Sequence, residues 1–384
     1  MEKTRLYYLD WLRTLVVLSL IPFHAALTYT GMGDTYIETQ ISDLRVLPFL
    51  VITAPLGSFF MTLLFFVSGI SAYFSFKYRG KGKYIKERVN KTLLPLVLGT
   101  IFICPTQAYF KALNEGFRGN LLQFIPEFFS GKIVSYLGYA HFWFLLYLFV
   151  FSMIALPLFA KWSNDNDRLM KISDLICKGR NIYIPIIFII VAEILLRPFF
   201  PGMQNLIMDW ANVVVYLSIF IFGFVFASDT RIQERLNKLS KISAYLFAIL
   251  SFLYILVMYL FLSNGSSISS LGLAWAVTKG VFECSAIIFL IFIGKKYLNK
   301  NSSLLNYLSK VSFSFYIFHF LPVSMFTYLF MDLQINIYAK YLLVIALSFI
   351  FVFLVYEILV RRLLSRIKPS LDIITIYRKS KQNF

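Results

Sequence analysis

A chain of 384 residues that is 59% hydrophobic and only 15% charged, with a strongly positive mean hydropathy, lies outside the range of soluble domains and reads as a polytopic membrane protein. Its net charge of +18 raises nucleic acid as a partner, but the placement of that charge, traced below, is explained by membrane topology alone. Cys104, Cys177 and Cys284 stand far apart without CxxC spacing, so neither a disulfide framework nor a zinc site is indicated.

Apolar windows of spanning length occur at about 9–30, 52–76, 92–110, 139–160, 182–200, 207–228, 242–263, 270–294, 303–330 and 338–360. They predict an all-α fold of ten transmembrane helices forming one domain over 1–384, with no fused extracytoplasmic domain after the tenth. The segment 120–138, broken by Pro126 and Gly131, fits a short amphipathic helix at the interface. With the amino terminus cytoplasmic, 29 of the 37 Lys and Arg residues fall on inside segments. Five fall outside: Arg45, Lys111, Arg118, Lys132 and Lys340. That imbalance predicts both termini on the cytoplasmic side.

The first window, LDWLRTLVVLSLIPFHAALTYT, is too long and too charged for a cleaved signal peptide, and it carries Asp10, Arg13 and His24. Polar side chains at membrane depth are costly, so they usually serve a site. Arg13 and His24 are eleven residues apart, which on a helix is three turns plus about 20°, with roughly 16 Å of rise between them. One face therefore carries a cation at one level and an imidazole at another. Simpler roles are a snorkelling Arg13 paired with Asp10 and a His24 bonded to a neighbouring helix.

The densest basic stretch is the loop KYRGKGKYIKERVNK, 77–91. Topology and anionic lipid account for part of it. The remainder reads as a phosphate-binding lip with Arg88 and Lys91 three apart, supported by Lys83 and Lys86. No Walker motif or GxGxxG fingerprint is present, so a standard nucleotide fold is set aside.

The only histidines are His24, His141 and His319. At 1.5 Å per residue, His24 lies about 22 Å and His319 about 24 Å from the inner ends of their helices, and His141 begins its own at the outer end. All three thus share the outer part of the membrane. Zinc binding is weighed and no metal is expected, because neither HExxH nor a carboxylate ligand pair accompanies them. A general base suits an imidazole better, and His24, sharing a face with Arg13, is the leading candidate. His141 beside Trp143 also fits an interfacial anchor, and His319 near Tyr316 a packing hydrogen-bonder. Glu193 with Arg197, Lys279 with Glu283, and Glu357 with Arg361 are spaced as i,i+4 pairs that offset part of their own burial cost. No GxSxG elbow occurs, and the Asp165-Asn166-Asp167 pattern reads as a solvated turn.

Taken in order, these segments resemble the acyltransferase 3 family of bacterial integral-membrane O-acyltransferases. The matching residues are Arg13 and His24 as R-x10-H, FFVSGISAYFSF, RVNKTLLP, AHFWFLLYLF, SFYIFHF as Y-x-x-H, and YEILVRR. The PFH ending of the first window resembles the glucan succinyltransferase branch. The chain departs from the family at Lys91, where R-x-x-R is usual, which loses a bidentate fork but keeps the charge.

The resemblance implies transfer of an acetyl or succinyl group from cytosolic acyl-CoA to a hydroxyl of an extracytoplasmic glycan or glycolipid, in the bacterial cytoplasmic membrane. Arg13 and His24 would be catalytic, and Arg88, Lys91 and Lys86 would hold the acyl-CoA. Tyr316, His141, Trp143, His319, Lys279 and Glu283 would bind substrate or support the site. The expected partners are membrane lipids and the acceptor, with no nucleic acid. A rival reading is a transporter or flippase for a glycan or lipid-linked sugar, which would also use interior charges but has no need of an entry site for CoA.

Overall fold

The computed structural model describes residues 5–31, 37, 39, 41, 43–130, 139–202, 204–264 and 268–362. Lys132, the rest of 131–138 and the tail 363–384, which entered the charge reading, lie outside the described residues. Among the described residues every regular element is helical. Apolar runs of this length require that, because hydrocarbon supplies no partner for backbone N–H and C=O groups and each segment must pair its own.

Six stretches are long and apolar enough to cross a membrane: Tyr7–Leu27, Leu44–Asn114, Trp210–Ser228, Ser240–Ser263, Ser270–Leu298 and Ile337–Val360. Three further pairs qualify jointly but are bent: Ala140–Ile154 with Leu156–Asn164 by 48°, Asp167–Cys177 with Asn181–Leu196 by 103°, and Ser303–Phe318 with Phe320–Phe330 by 55°. The number of candidate spans is therefore six, or up to nine if each bent pair is one. The expectation of ten counts Leu44–Asn114 twice, since the windows 52–76 and 92–110 both fall on it. The chain is an all-α, multi-pass membrane protein.

The breaks have identifiable causes. Pro157 and Pro322 stand just past the bends at Ala155 and His319; each lacks the N–H that would continue the ladder, and its ring crowds the carbonyl four residues back. The sharpest bend contains Gly179 at φ 55°. The basic stretch 77–91, expected as a loop, is instead helical: Leu47–Arg88 runs through it and bends at Gly80 (φ 74°, ψ 172°), a conformation open chiefly to glycine. A turn of π-helix, Val89–Leu93, then leads into Leu94–Phe102. Residues 121–129 form the expected short helix, closed at its start by a reciprocal capping box between Asn120 and Gln123.

Leu47–Arg88 is the central element, packed against Tyr7–Leu27, Trp210–Ser228, Ser240–Asn264 and Ser270–Ile293. Its tightest contact is with Trp210–Ser228, where a Cβ on Gly69 would collide with the Phe220 backbone and one on Gly223 with the Phe66 backbone. Small residues matter here because lipid tails are as apolar as Leu, so helix association depends on close van der Waals packing. The first helix also packs on Ser303–Phe318, which brings the first and ninth windows together.

Candidate functional site

His24, His141 and His319 converge. Ring centroids are 5.2 Å apart for His24 and His319 and 4.7 Å for His141 and His319, with the Phe320 ring 4.6 Å from His24 and 5.7 Å from His141. Each imidazole is placed by a different device. His24 sits in the last turn of Tyr7–Leu27, and the Tyr341 hydroxyl donates to the nearby Pro22 carbonyl at 3.2 Å. His319 occupies the bend before Pro322, where its ring Nδ1 lies 3.0 Å from the Phe315 carbonyl and 2.9 Å from that of Tyr316. His141 lies in the short 3-10 turn Ala140–Phe142, entered through Ala140 at φ 41°. Its Nε2 is 3.1 Å from the Ile317 carbonyl, and the Tyr316 hydroxyl donates back to the His141 carbonyl at 2.8 Å. Gly99 accommodates the neighbouring Phe142 ring, which any Cβ there would strike.

These bonds select the tautomers. A carbonyl only accepts, so His319 carries its proton on Nδ1 and His141 on Nε2. The neutral rings then expose lone pairs at His319 Nε2 and His141 Nδ1, and among the described residues both atoms are buried without a partner, as is His24 Nδ1. Among the described residues no group of three His, Cys, Asp or Glu is arranged to hold a metal ion. The arrangement offers unengaged acceptors at which a hydroxyl proton can be received.

The second group lies toward the other end of the first helix. Arg13 Nη2 donates to Ser71 Oγ at 3.1 Å and Nη1 stands 3.9 Å from Asp10, whose carboxylate is held more closely by Arg5 at 2.8 Å. Arg13 is near enough to Arg88 for their charges to repel, and Lys91 is within the same range of Arg79, Arg88 and Arg13. Arg88 lies over the buried Tyr84 ring at 4.8 Å, with its Nε buried and, among the described residues, unpartnered. One carboxylate, Glu87, threads the group: it pairs with Arg79, lies 3.7 Å from Lys91 and accepts from Ser75 Oγ at 3.0 Å. Cations outnumber it, so the group attracts anions. Lys86 is exposed, and none of these contacts includes it.

Arg79, Glu87, Ser71 and Ser75 escaped the sequence reading. The i,i+4 spacing of Glu87 and Lys91 was the available signal, masked by treating 77–91 as a loop. Trp143, buried beside His141 in sequence, faces Tyr216 at 6.2 Å and Tyr147 at 5.3 Å. It is buried and therefore supports packing more directly than an interfacial anchor would. Lys279 and Glu283 form the expected i,i+4 contact, but they are joined to Glu193 and Arg197 in a separate buried cluster, away from the histidines. Asp165 caps the helix Asn166–Cys177 and pairs with Arg168, as a solvated turn would.

One helix, Tyr7–Leu27, thus carries both a cation and an imidazole in an all-α, multi-pass membrane protein. The family model described as an acyltransferase domain matches residues 6–357, and the chain belongs to that acyltransferase family. It is also similar to glucans biosynthesis protein C of Escherichia coli strain K12, at 26% identity over 235 residues, covering 57% of this chain and 57% of that protein. The chain thus matches little more than half the length of that relative. No solved structure matches.

Proposed function

We propose that this protein is an O-acyltransferase that takes an acetyl or succinyl group from cytosolic acyl-CoA and places it on a hydroxyl of an extracytoplasmic glycan or glycolipid in the bacterial cytoplasmic membrane. The observation that carries the proposal is the division of the first helix. Arg13 stands in a basic group at one level, and His24 stands roughly 16 Å further along among unengaged imidazoles. That span is comparable to a pantetheine arm. The similarity to a glucans biosynthesis protein supports a glucan as the acceptor.

In this reading Arg88, Lys91, Arg79 and Arg13 receive the CoA phosphates. Guanidinium groups suit this because they pair phosphate oxygens through a planar fork, while Lys91 adds a point charge. The thioester reaches along the face toward His24. The imidazole of His24 takes the acceptor hydroxyl proton as that oxygen attacks the thioester carbon; the C–S bond breaks, and the departing CoA sulfur takes the proton back from the imidazolium. His319, fixed by two carbonyls, packs on His24 and limits its orientation. His141 and Tyr316 brace His319 through their reciprocal bonds to the same segment.

The test compares by mass spectrometry the envelope glycans and lipids of cells lacking the gene, cells expressing it, and cells expressing His24→Ala at equal membrane level. A mass increment present only with the intact protein is the expected result, and it names the group transferred. An unchanged modification pattern with altered glycan export overturns the proposal in favour of a transporter.

A further inference from the structure

Away from the histidines, a second polar assembly is buried where Asn181–Leu196, Trp210–Ser228 and Ser270–Ile293 meet. Arg197 grips Glu193 with two bonds of 2.7 Å and donates to Asn212 Oδ1 at 2.8 Å. Lys279 reaches across from the neighbouring helix to Glu193 at 2.8 Å and also contacts Glu283 on its own helix. The crossing is close because Gly280 stands beside the Ile190 Cα, leaving no room for a larger residue without adjustment. Asp209 completes the group, accepting from Gln204 N at 2.9 Å, Asn212 N at 3.2 Å and Asn212 Nδ2 at 2.7 Å. Glu193, Glu283 and Asp209 are fully enclosed, Arg197 and Lys279 nearly so.

The charges do not balance. Three carboxyls face two cations, so full ionisation would leave one uncompensated negative charge in a dry interior, which is far costlier than a neutral acid. Geometry identifies the odd member. Glu193 has three donors, from Arg197 and Lys279. Asp209 has three amide N–H donors. Among the described residues Glu283 has Lys279 alone, and its Oε2 is buried without a partner.

We propose that Glu283 is a proton-binding site: its Oε2 takes a proton from solvent, forming an O–H bond, and the residue stands in the folded protein at neutral pH as a carboxylic acid. Oε1 remains the acceptor for Lys279. The other groups facing this site are Glu193 on Asn181–Leu196 and Arg197 just past its end, Asp209 and Tyr216 on or beside Trp210–Ser228, Tyr254 on Ser240–Asn264, and Cys284 next along its own helix. Among these charged groups, Glu193 and Asp209 oppose Arg197 and Lys279 one for one, and the protonated Glu283 completes a neutral cluster. The inference is independent of acyl transfer, since it rests on charge count and hydrogen bonding in a different part of the molecule.

Infrared spectra of the purified full-length protein in lipid nanodiscs at neutral pH test it. The expected result is a C=O stretch of a protonated carboxylic acid, at higher frequency than the carboxylate bands, that vanishes in Glu283→Gln and persists in Asp209→Asn. Glu283→Asp, which keeps the acid, should shift the band without removing it, and serves if Glu283→Gln does not fold. Stability of the wild type should also fall from mildly acidic to mildly alkaline pH, as the folded form is forced to release its proton, and this decline should be absent in Glu283→Gln. Absence of the acid band in the wild type, or its persistence in Glu283→Gln, overturns the proposal.

Discussion

The histidine group and the Glu193 cluster are both polar, both buried and both assembled from helices distant in sequence, yet they are finished differently. In the cluster Glu193 and Arg197 exchange a bidentate pair, and Lys279 bridges to a second helix. At the histidines every ring keeps one nitrogen without a partner. Saturated bonds fix helices relative to one another, whereas an unengaged lone pair is useful only to something that arrives later. Polarity inside a membrane protein therefore does not by itself mark a reactive site; among the described residues three unpartnered ring nitrogens gather at the histidines, whereas the cluster leaves over Glu283 Oε2.

Substitutions should separate the two regions. His24→Ala removes an unengaged imidazole, and it should lower acyl transfer by about 10²- to 10⁴-fold while leaving thermal unfolding in detergent nearly unchanged. A comparable fall in the unfolding temperature would show that His24 is structural and would erase the contrast. Glu193→Ala is the mirror image. It leaves Arg197 and Lys279 without their shared carboxylate and should cost about 3–5 kcal/mol of stability, read as loss of monodisperse protein on gel filtration and a lowered unfolding transition. Normal accumulation of this variant would remove the structural role assigned to the cluster.

Smaller effects sharpen the picture at the edges. Arg88→Ala should raise the apparent KM for acyl-CoA about tenfold, roughly 1.4 kcal/mol, with little change in kcat, and Arg88→Lys should recover part of it. An effect on kcat alone would place Arg88 with the chemistry and not with donor binding. The smallest effect concerns a purely peripheral pair. The bonds from Arg231 hold the Asp229 carboxyl below the usual carboxylate range, and Arg231 also meets Asp174 at 2.8 Å. Because the folded value is depressed, this contribution is present above the ordinary carboxylate range and disappears as pH falls through the depressed value. Arg231→Ala should flatten the acid limb of the stability profile slightly and leave neutral pH almost untouched; a large loss at neutral pH would contradict it.

The apolar runs alone were enough to give an all-α, multi-pass chain, because spanning hydrocarbon demands a certain length and full internal pairing, and those demands are written locally. That Arg13 and His24 stand on one helix, Tyr7–Leu27, was legible for the same reason. So was the family, through the order of its short segments. The ends and breaks were less visible. A stretch that reads as loop is helical on both sides of a kink at Gly80, and Pro322 turns one apolar window into two helices with His319 at the joint. Partner choice was invisible altogether. Nothing in the spacing of Lys279 and Glu283 announces that Lys279 also reaches Glu193, 86 residues away, nor that His141 and His319 face each other across 178 residues. Periodicity assigns a side chain to a face of its own helix; only packing decides which other face it meets, and here glycine contacts and proline bends close to the polar atoms made that choice.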